Sequence, residues 1–142
     1  MKKILLPVDG SENALRTTRV VIGLVKASAE PVELHLLTVQ LPILSGDVKM
    51  FVGQDTINAY YHDEGLKALA SARAALDEAG VHYVFHIGVG QVAETIAAYA
   101  REQGCGQIVM GSRGLGSVAG MLLGSVATKV MHLVDVPVTL VK

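Results

Sequence analysis

The residues with the clearest chemical potential are glycines in the last third of the chain. Gly111 and Gly114 follow an apolar segment, and Gly124 is followed directly by Ser125. Glycine lets backbone amides approach an anion closely, and a helix N-terminus adds unpaired N–H donors and a favourable dipole. Arg113 supplies a cation within the segment, and Ser125 supplies a hydroxyl. This spacing indicates a phosphate-binding loop; the alternative is a flexible surface loop in a glycine-rich chain.

The segment differs from two common phosphate-binding motifs. A Walker A loop carries Gly-Lys-Ser or Gly-Lys-Thr after its glycines, and no such tripeptide follows here. The dinucleotide-binding fingerprint follows the first strand of its fold, whereas these glycines follow the fourth predicted strand. A different nucleotide-binding arrangement is therefore expected.

Strand-like and helix-like segments alternate along the chain and would position this loop. The apolar patterns predict strands at Lys3–Val8, Val32–Val39, Val81–Ile87, Gln107–Met110 and Val136–Val141. They predict helices at Glu12–Ala29, Ile57–Ala79, Val92–Glu102 and Ser125–Leu133. Strands joined through helices form a parallel sheet with right-handed crossovers. The sequence therefore predicts one three-layer α/β domain over residues 1–142, with a doubly wound, five-stranded parallel sheet.

Ligands of such sheets bind beyond the carboxyl ends of the strands. That rule selects the turn Pro7–Ser11, the segments Val39–Leu41 and Gly88–Gln91, and the residues from Gly111 onward. Asp9 is a candidate ligand-binding residue there, and the alternative is that its side chain only closes the turn. Ser11 is predicted to cap the first helix.

The glycine pattern Gly111-x2-Gly114-x9-Gly124-Ser125 resembles the nucleotide-binding pattern of the ATP-binding universal stress proteins. The segment Ile4–Ser11 resembles their first strand and turn, and Val136–Val141 resembles their last strand. The resemblance covers the whole chain in order. It implies a Rossmann-like fold of the adenine-nucleotide α-hydrolase type. One departure is Gly106-Gln107, where the family often has an acidic residue, at a position remote from the nucleotide.

The resemblance also implies an ATP site and its residues. Asp9 would lie near the ribose and phosphates, with any Mg that accompanies ATP close by, and Val39 would offer its backbone to the adenine. The remaining expected contacts are Pro7, Val8, Met110, Gly111, Arg113, Gly114, Gly124, Ser125 and Val126. The implied function is a stress-response regulatory protein that binds ATP.

Two other functions are compatible with an α/β fold of this kind. A slow ATP hydrolase or adenylyl-transferring enzyme on the same scaffold would need a general base or second acid facing the phosphates. Beyond Asp9 the sequence offers none, so we expect a binding module without a catalytic apparatus. A phospho-receiver domain would need an aspartate at the end of the third strand, where Gly88-Val89-Gly90 stand instead.

Composition limits the other classes of partner. Twelve basic and 13 acidic residues give a net charge of −1, so we expect no affinity for nucleic acid or anionic membranes. No apolar stretch reaches the roughly 20 residues of a membrane span. The single cysteine, Cys105, cannot form an internal disulfide and reads as a core thiol, which suits a cytoplasmic protein. His82 and His86 lie in a predicted strand about 13 Å apart, too far for one metal ion.

The last predicted strand, Val136–Val141, should lie at a sheet edge because it ends the winding order. An exposed apolar edge favours pairing with another chain, so we expect a homodimer through Val136–Val141. The alternative is a monomer whose own loops shield that edge. The long connection Gln40–Thr56 has the length of a functional or mobile loop, with no specific role indicated.

Overall fold

Five strands and four helices alternate along residues 1–43, 53–114 and 123–142, the parts of the chain that the computed structural model describes. In chain order they are β1 (Lys2–Pro7), α1 (Glu12–Ala27), β2 (Val32–Gln40), α2 (Gln54–Glu78), β3 (Tyr83–Val89), α3 (Val92–Glu102), β4 (Gln107–Gly111), α4 (Ser125–Leu133) and β5 (Val138–Val141). Every predicted element is present. Residues 44–52 of the predicted long connection lie outside the described residues.

Several element boundaries differ from the prediction by one to three residues. Helix α2 starts at Gln54 instead of Ile57, because the Gly53 carbonyl accepts hydrogen bonds from the amides of Thr56 and Ile57. Val81 does not begin β3, since its amide closes the end of α2 on the Leu76 carbonyl at 3.0 Å. Strand β5 begins at Val138 instead of Val136.

The five strands form one parallel sheet in the order β3-β2-β1-β4-β5. The predicted doubly wound α/β fold is therefore confirmed. The direction of winding reverses between β1 and β4, which leaves a crevice at the carboxyl ends of these two strands. Strand β5 lies at one edge, as predicted, and β3 lies at the other.

Apolar side chains fill both faces of the sheet and fix the three layers. One cluster packs α1 and α2 against residues such as Leu6, Leu36 and Val109. The other packs α3 and α4 against Leu5, Leu37, Ile108 and Met110. Adjacent strand residues enter opposite clusters, so the strands read as continuous apolar runs. No helix of the described parts is long and apolar enough to cross a membrane.

Cys105 is a buried residue of the second cluster, as expected of a core thiol. Burial raises the pKa of its thiol, which disfavours the reactive thiolate. The prediction that His82 and His86 lie in one strand is correct for His86 and wrong for His82. His82 precedes β3, and His86 lies within it. Across the described ranges, no group of three potential ligands could hold a metal ion.

His86 instead pairs with His35 of β2. Nε2 of His86 lies 3.0 Å from Nδ1 of His35, and Nε2 of His35 lies 2.7 Å from a carboxylate oxygen of Glu33. The two imidazole rings stack at a centroid distance of 5.3 Å, and Tyr99 of α3 contacts His86 edge-on. Burial, followed by the charge of His35, lowers the pKa of His86. Single-strand spacing could not reveal this pair, because its members come from neighbouring strands.

Candidate functional site

A cavity of about 590 Å³ opens at the carboxyl ends of β1, β2 and β4. Its volume falls within the roughly 300–1,000 Å³ typical of small-molecule sites. The cavity lies where the direction of winding reverses, which is the usual ligand position in open parallel sheets.

All of the residues expected at a nucleotide site line this one cavity. They are Pro7, Val8, Asp9, Val39, Met110, Gly111, Arg113, Gly114, Gly124, Ser125 and Val126. Sequence reasoning did not name a further group of lining residues individually: Ala14, Leu37, Thr38, Gln40, Leu41, Ile43, Tyr60, Ala68, Val92, Ile96, Ser112 and Ala127. Of these, Gln40, Leu41, Ser112 and Ala127 fall within the segments that the carboxyl-end rule selects. Tyr60 and Ala68 depend on how α2 packs over the sheet.

Gly111, the last residue of β4, and Gly114, which follows the strand, both have close side-chain neighbours. A Cβ atom on Gly111 would collide with Oδ1 of Asn13, and one on Gly114 would collide with Oδ2 of Asp9. Both glycines line the cavity. The segment thus leaves its backbone open to a ligand, which is the arrangement that phosphate binding needs.

Helix α4 adds a second set of donors. Its N-cap is Gly124, whose amide donates to the Ser112 carbonyl at 2.6 Å and so joins the helix to the end of β4. No side chain caps this helix end. Ser125 and Val126 form its first turn and line the cavity. Amides of a first helical turn have no partner within the helix, and together with the helix dipole they favour an anion.

Asp9 serves the turn and the cavity at once. One carboxylate oxygen, Oδ1, accepts a hydrogen bond from the Ser11 amide at 3.0 Å, which closes the turn after β1. The Ser11 hydroxyl accepts from the Ala14 amide at 3.1 Å, so the predicted cap of α1 is confirmed. The other carboxylate oxygen of Asp9 lies against Gly114. Gly10 allows this turn, with φ of +84° and α2 packed against it at Ala68.

At the other end of the cavity, backbone groups of β2 extend beyond β1. The β1–β2 ladder ends at the Pro7–Leu37 pair, after which the Val8 amide donates to the Leu37 carbonyl at 2.8 Å. Alternate residues of a strand direct their N–H and C=O groups to the same side. Val39 therefore directs both groups towards the β1 side, past the end of that strand. They are placed to bind the polar edge of a planar ring.

Apolar side chains surround this second end. Leu41, Ile43 and Tyr60 line it, and the Ile43 amide donates to the Tyr61 hydroxyl at 2.7 Å, which joins the exit of β2 to α2. The cavity thus has an apolar end with exposed strand groups and a glycine-rich end with N–H donors and Arg113. A molecule with a flat ring at one end and an anionic group at the other fits this arrangement.

Asn13 is the most informative residue that sequence reasoning missed. Its side chain is buried, its Oδ1 accepts from the Arg113 amide at 3.0 Å, and its Nδ2 donates to the Val141 carbonyl at 3.0 Å. Its position two residues after Ser11, in the first turn of α1 beside the crevice, is the signal that could have found it.

Known proteins similar to this chain point to one family. The model of the universal stress protein family matches residues 1–142. Universal stress protein YxiE of Bacillus subtilis is 34% identical over 147 aligned positions, covering 99% of this chain and 98% of YxiE. The structure of the protein MJ0577 has a TM-score of 0.84 at 29% identity, covering 99% and 95% of the two chains. A universal stress protein in complex with cAMP has a TM-score of 0.73 at 25% identity, covering 99% and 97%.

Proposed function

The chain belongs to the universal stress protein family, and on that premise we propose that it is a regulatory protein of the cytoplasmic stress response that binds ATP. The observation that carries the proposal is the convergence of all the expected contacts on one cavity of suitable volume. A solved relative binds cAMP, which supports an adenine nucleotide as the class of ligand.

In this proposal the adenine occupies the apolar end and hydrogen-bonds to the backbone of Val39. The phosphates lie against Gly111–Gly114 and the first turn of α4, where N–H donors and Arg113 offset their charge. Asp9 accepts a hydrogen bond from the ribose or binds Mg together with the phosphates. A carboxylate and a phosphate repel each other unless a cation or a hydrogen-bond donor lies between them, which supports a role of this kind.

We propose binding without efficient turnover. Among the described lining residues, Asp9 is the one carboxylate, and no histidine or cysteine is present. Its Oδ1 already accepts the Ser11 amide. Hydrolysis would need a group that orients or deprotonates water, and Asp9 alone provides a poor one. Steady-state phosphate release should therefore stay far below about 10 per second, an ordinary enzymatic rate.

We further propose a homodimer formed on β5. The Pro137 carbonyl accepts from the Ile108 amide of β4, and the Val141 carbonyl accepts from Ser112, directly after that strand. The alternate residues Val138 and Leu140 therefore direct their backbone groups outward. Two-fold antiparallel pairing of two β5 strands would satisfy those groups in a closed interface.

The binding proposal is tested with a matched pair of glycine variants. Gly114→Val places a side chain into Asp9 and the cavity, whereas Gly23→Val adds the same atoms at an open position of α1. We expect Gly114→Val to weaken ATP binding by calorimetry at least about tenfold, the loss of one good hydrogen bond, with an unchanged circular dichroism spectrum. Gly23→Val should bind ATP like the wild type. Equal ATP affinity in both variants would contradict the proposed site.

A further inference from the structure

We propose that Asn13 is the positioning residue of the phosphate-binding end, holding the Gly111–Gly114 segment against the end of β5. The inference rests on the proposed function for its ligand. The residues that line the cavity do not reveal this role, because Asn13 is not among them.

The side-chain amide of Asn13 completes a small closed network. Oδ1 accepts from the Arg113 amide, and Nδ2 donates to the Val141 carbonyl, both at 3.0 Å. The same Val141 carbonyl accepts the Ser112 amide at 2.8 Å. Two successive amides of the segment are thus held: the Arg113 amide by Asn13 itself, and the Ser112 amide by the Val141 carbonyl, which also accepts from Asn13. Asn13 is only 7% exposed, so these bonds form where water competes weakly.

This network determines which groups of the segment remain available to a phosphate. The Arg113 amide is occupied by Asn13 and does not bind the ligand. Its hydrogen bond fixes the peptide plane before Arg113, and therefore the direction in which the Arg113 side chain and the next residue, Gly114, leave that plane. Both Arg113 and Gly114 line the cavity.

Gly111 lies in direct contact with the side chain of Asn13. A Cβ on Gly111 would collide with Oδ1 of Asn13, so the side chain packs directly on the backbone at the exit of β4. An apolar side chain at position 13 could fill the space but could not hold the Arg113 amide. Phosphate binding should then weaken while the adenosine end stays intact.

The test compares ATP with adenosine in Asn13→Leu and in a control variant, Thr18→Val. Thr18 is buried in the same helix, and its hydroxyl donates only to the Ala14 carbonyl, so its replacement perturbs α1 without touching the segment. In Asn13→Leu we expect ATP affinity to fall about tenfold, the effect of one or two lost hydrogen bonds, with adenosine affinity unchanged. Thr18→Val should keep the wild-type ratio of the two affinities.

Hydrogen exchange at the Arg113 amide provides a readout that a general loss of stability would not mimic. Exchange should be faster in Asn13→Leu, while Asn13→Asp, which keeps an acceptor oxygen, should retain protection at Arg113. If Asn13→Leu does not fold, Asn13→Asp is compared with Asn13→Ser instead. The Arg113 amide should stay protected in Asn13→Asp and should exchange faster in Asn13→Ser.

Three outcomes would overturn the inference: an unchanged ratio of ATP to adenosine affinity in folded Asn13→Leu, an equal loss for both ligands, or unchanged exchange at Arg113. Failure of the proposed function has a different signature. In that case the wild-type protein would bind neither ligand, and exchange at Arg113 alone would decide the role of Asn13.

Discussion

One proton lies in the hydrogen bond between Nδ1 of His35 and Nε2 of His86. Nε2 of His35 lies beside the Glu33 carboxylate, which favours a proton on that atom. Nδ1 of His35 then accepts from Nε2 of His86 when both rings are neutral. Protonation of both rings would place two N–H donors, Nδ1 of His35 and Nε2 of His86, face to face at 3.0 Å.

The burial of His86 predicts a loss of stability in mild acid. Burial lowers the pKa of His86 below its ordinary value of 6.5, so the unfolded chain binds more protons than the folded protein as the pH falls through that value. The free energy of unfolding should therefore decrease as the pH falls from neutral through 6.5, the ordinary value for histidine. His86→Gln should flatten this dependence in urea titrations, because it removes the group whose pKa differs between the two states.

His82→Gln is the control for that titration, since His82 is exposed and precedes β3. The carboxylate of Glu33 contributes in a separate range. The hydrogen bond from His35 lowers the pKa of Glu33, so its contribution is present above pH 4.5, the ordinary value, and is lost only below it. An identical pH dependence in wild type and His86→Gln would refute this assignment.

At the scale of elements, the packing around a helix glycine decides whether an added methyl group stabilises or destabilises the fold. Gly65 of α2 faces β3 so closely that a Cβ would lie 2.6 Å from Cγ2 of Ile87. Gly23 of α1 is exposed, and a Cβ there meets nothing within 4 Å. Both glycines lie within helices, where alanine is intrinsically better by about 0.5–1 kcal/mol.

The same substitution should therefore have opposite effects at the two positions. Gly23→Ala should raise the free energy of unfolding by about 0.5–1 kcal/mol. Gly65→Ala should lower it, because overpacking typically costs about 1–3 kcal/mol and outweighs that gain. Denaturant midpoints measure both changes. A stabilised Gly65→Ala variant would show that α2 can move away from β3 at little cost.

The elements were largely predictable because apolar periodicity and glycine stops are local properties of the chain. The glycine-rich end of the cavity was predictable for the same reason, since Gly111, Gly114 and Gly124 adjoin the ends of their own elements. Asn13 was not, because its two partners lie 100 and 128 residues away in sequence. The apolar end was missed in part, because the lining residue Tyr60 reaches it through the packing of α2 over the sheet.

At the scale of the whole molecule, the free edge of β5 predicts the dimer interface. Val138→Pro removes an outward N–H at the first residue of an edge strand, a position where proline is compatible with the fold. In sedimentation equilibrium we expect dimers for the wild type and for Val138→Ala, which keeps the N–H, and monomers for Val138→Pro. The circular dichroism spectra of all three should agree.

A wild-type monomer at high micromolar concentration would contradict the dimer. Dimers of equal stability in Val138→Pro and Val138→Ala would instead place the interface elsewhere. The opposite edge, β3, is then the next candidate, because Val84, Phe85 and Val89 are exposed there.

The carbonyl of Val141 belongs to the edge strand and to the network that holds the phosphate-binding segment. A ligand that shifts this network acts on the edge at which a second subunit would bind. Nucleotide and partner subunit then become effectors of one another. Thermodynamic reciprocity requires that the factor by which ATP alters subunit affinity equals the factor by which the second subunit alters ATP affinity. Nucleotide occupancy at a fixed ATP level would then depend on how much of the protein the cell has made.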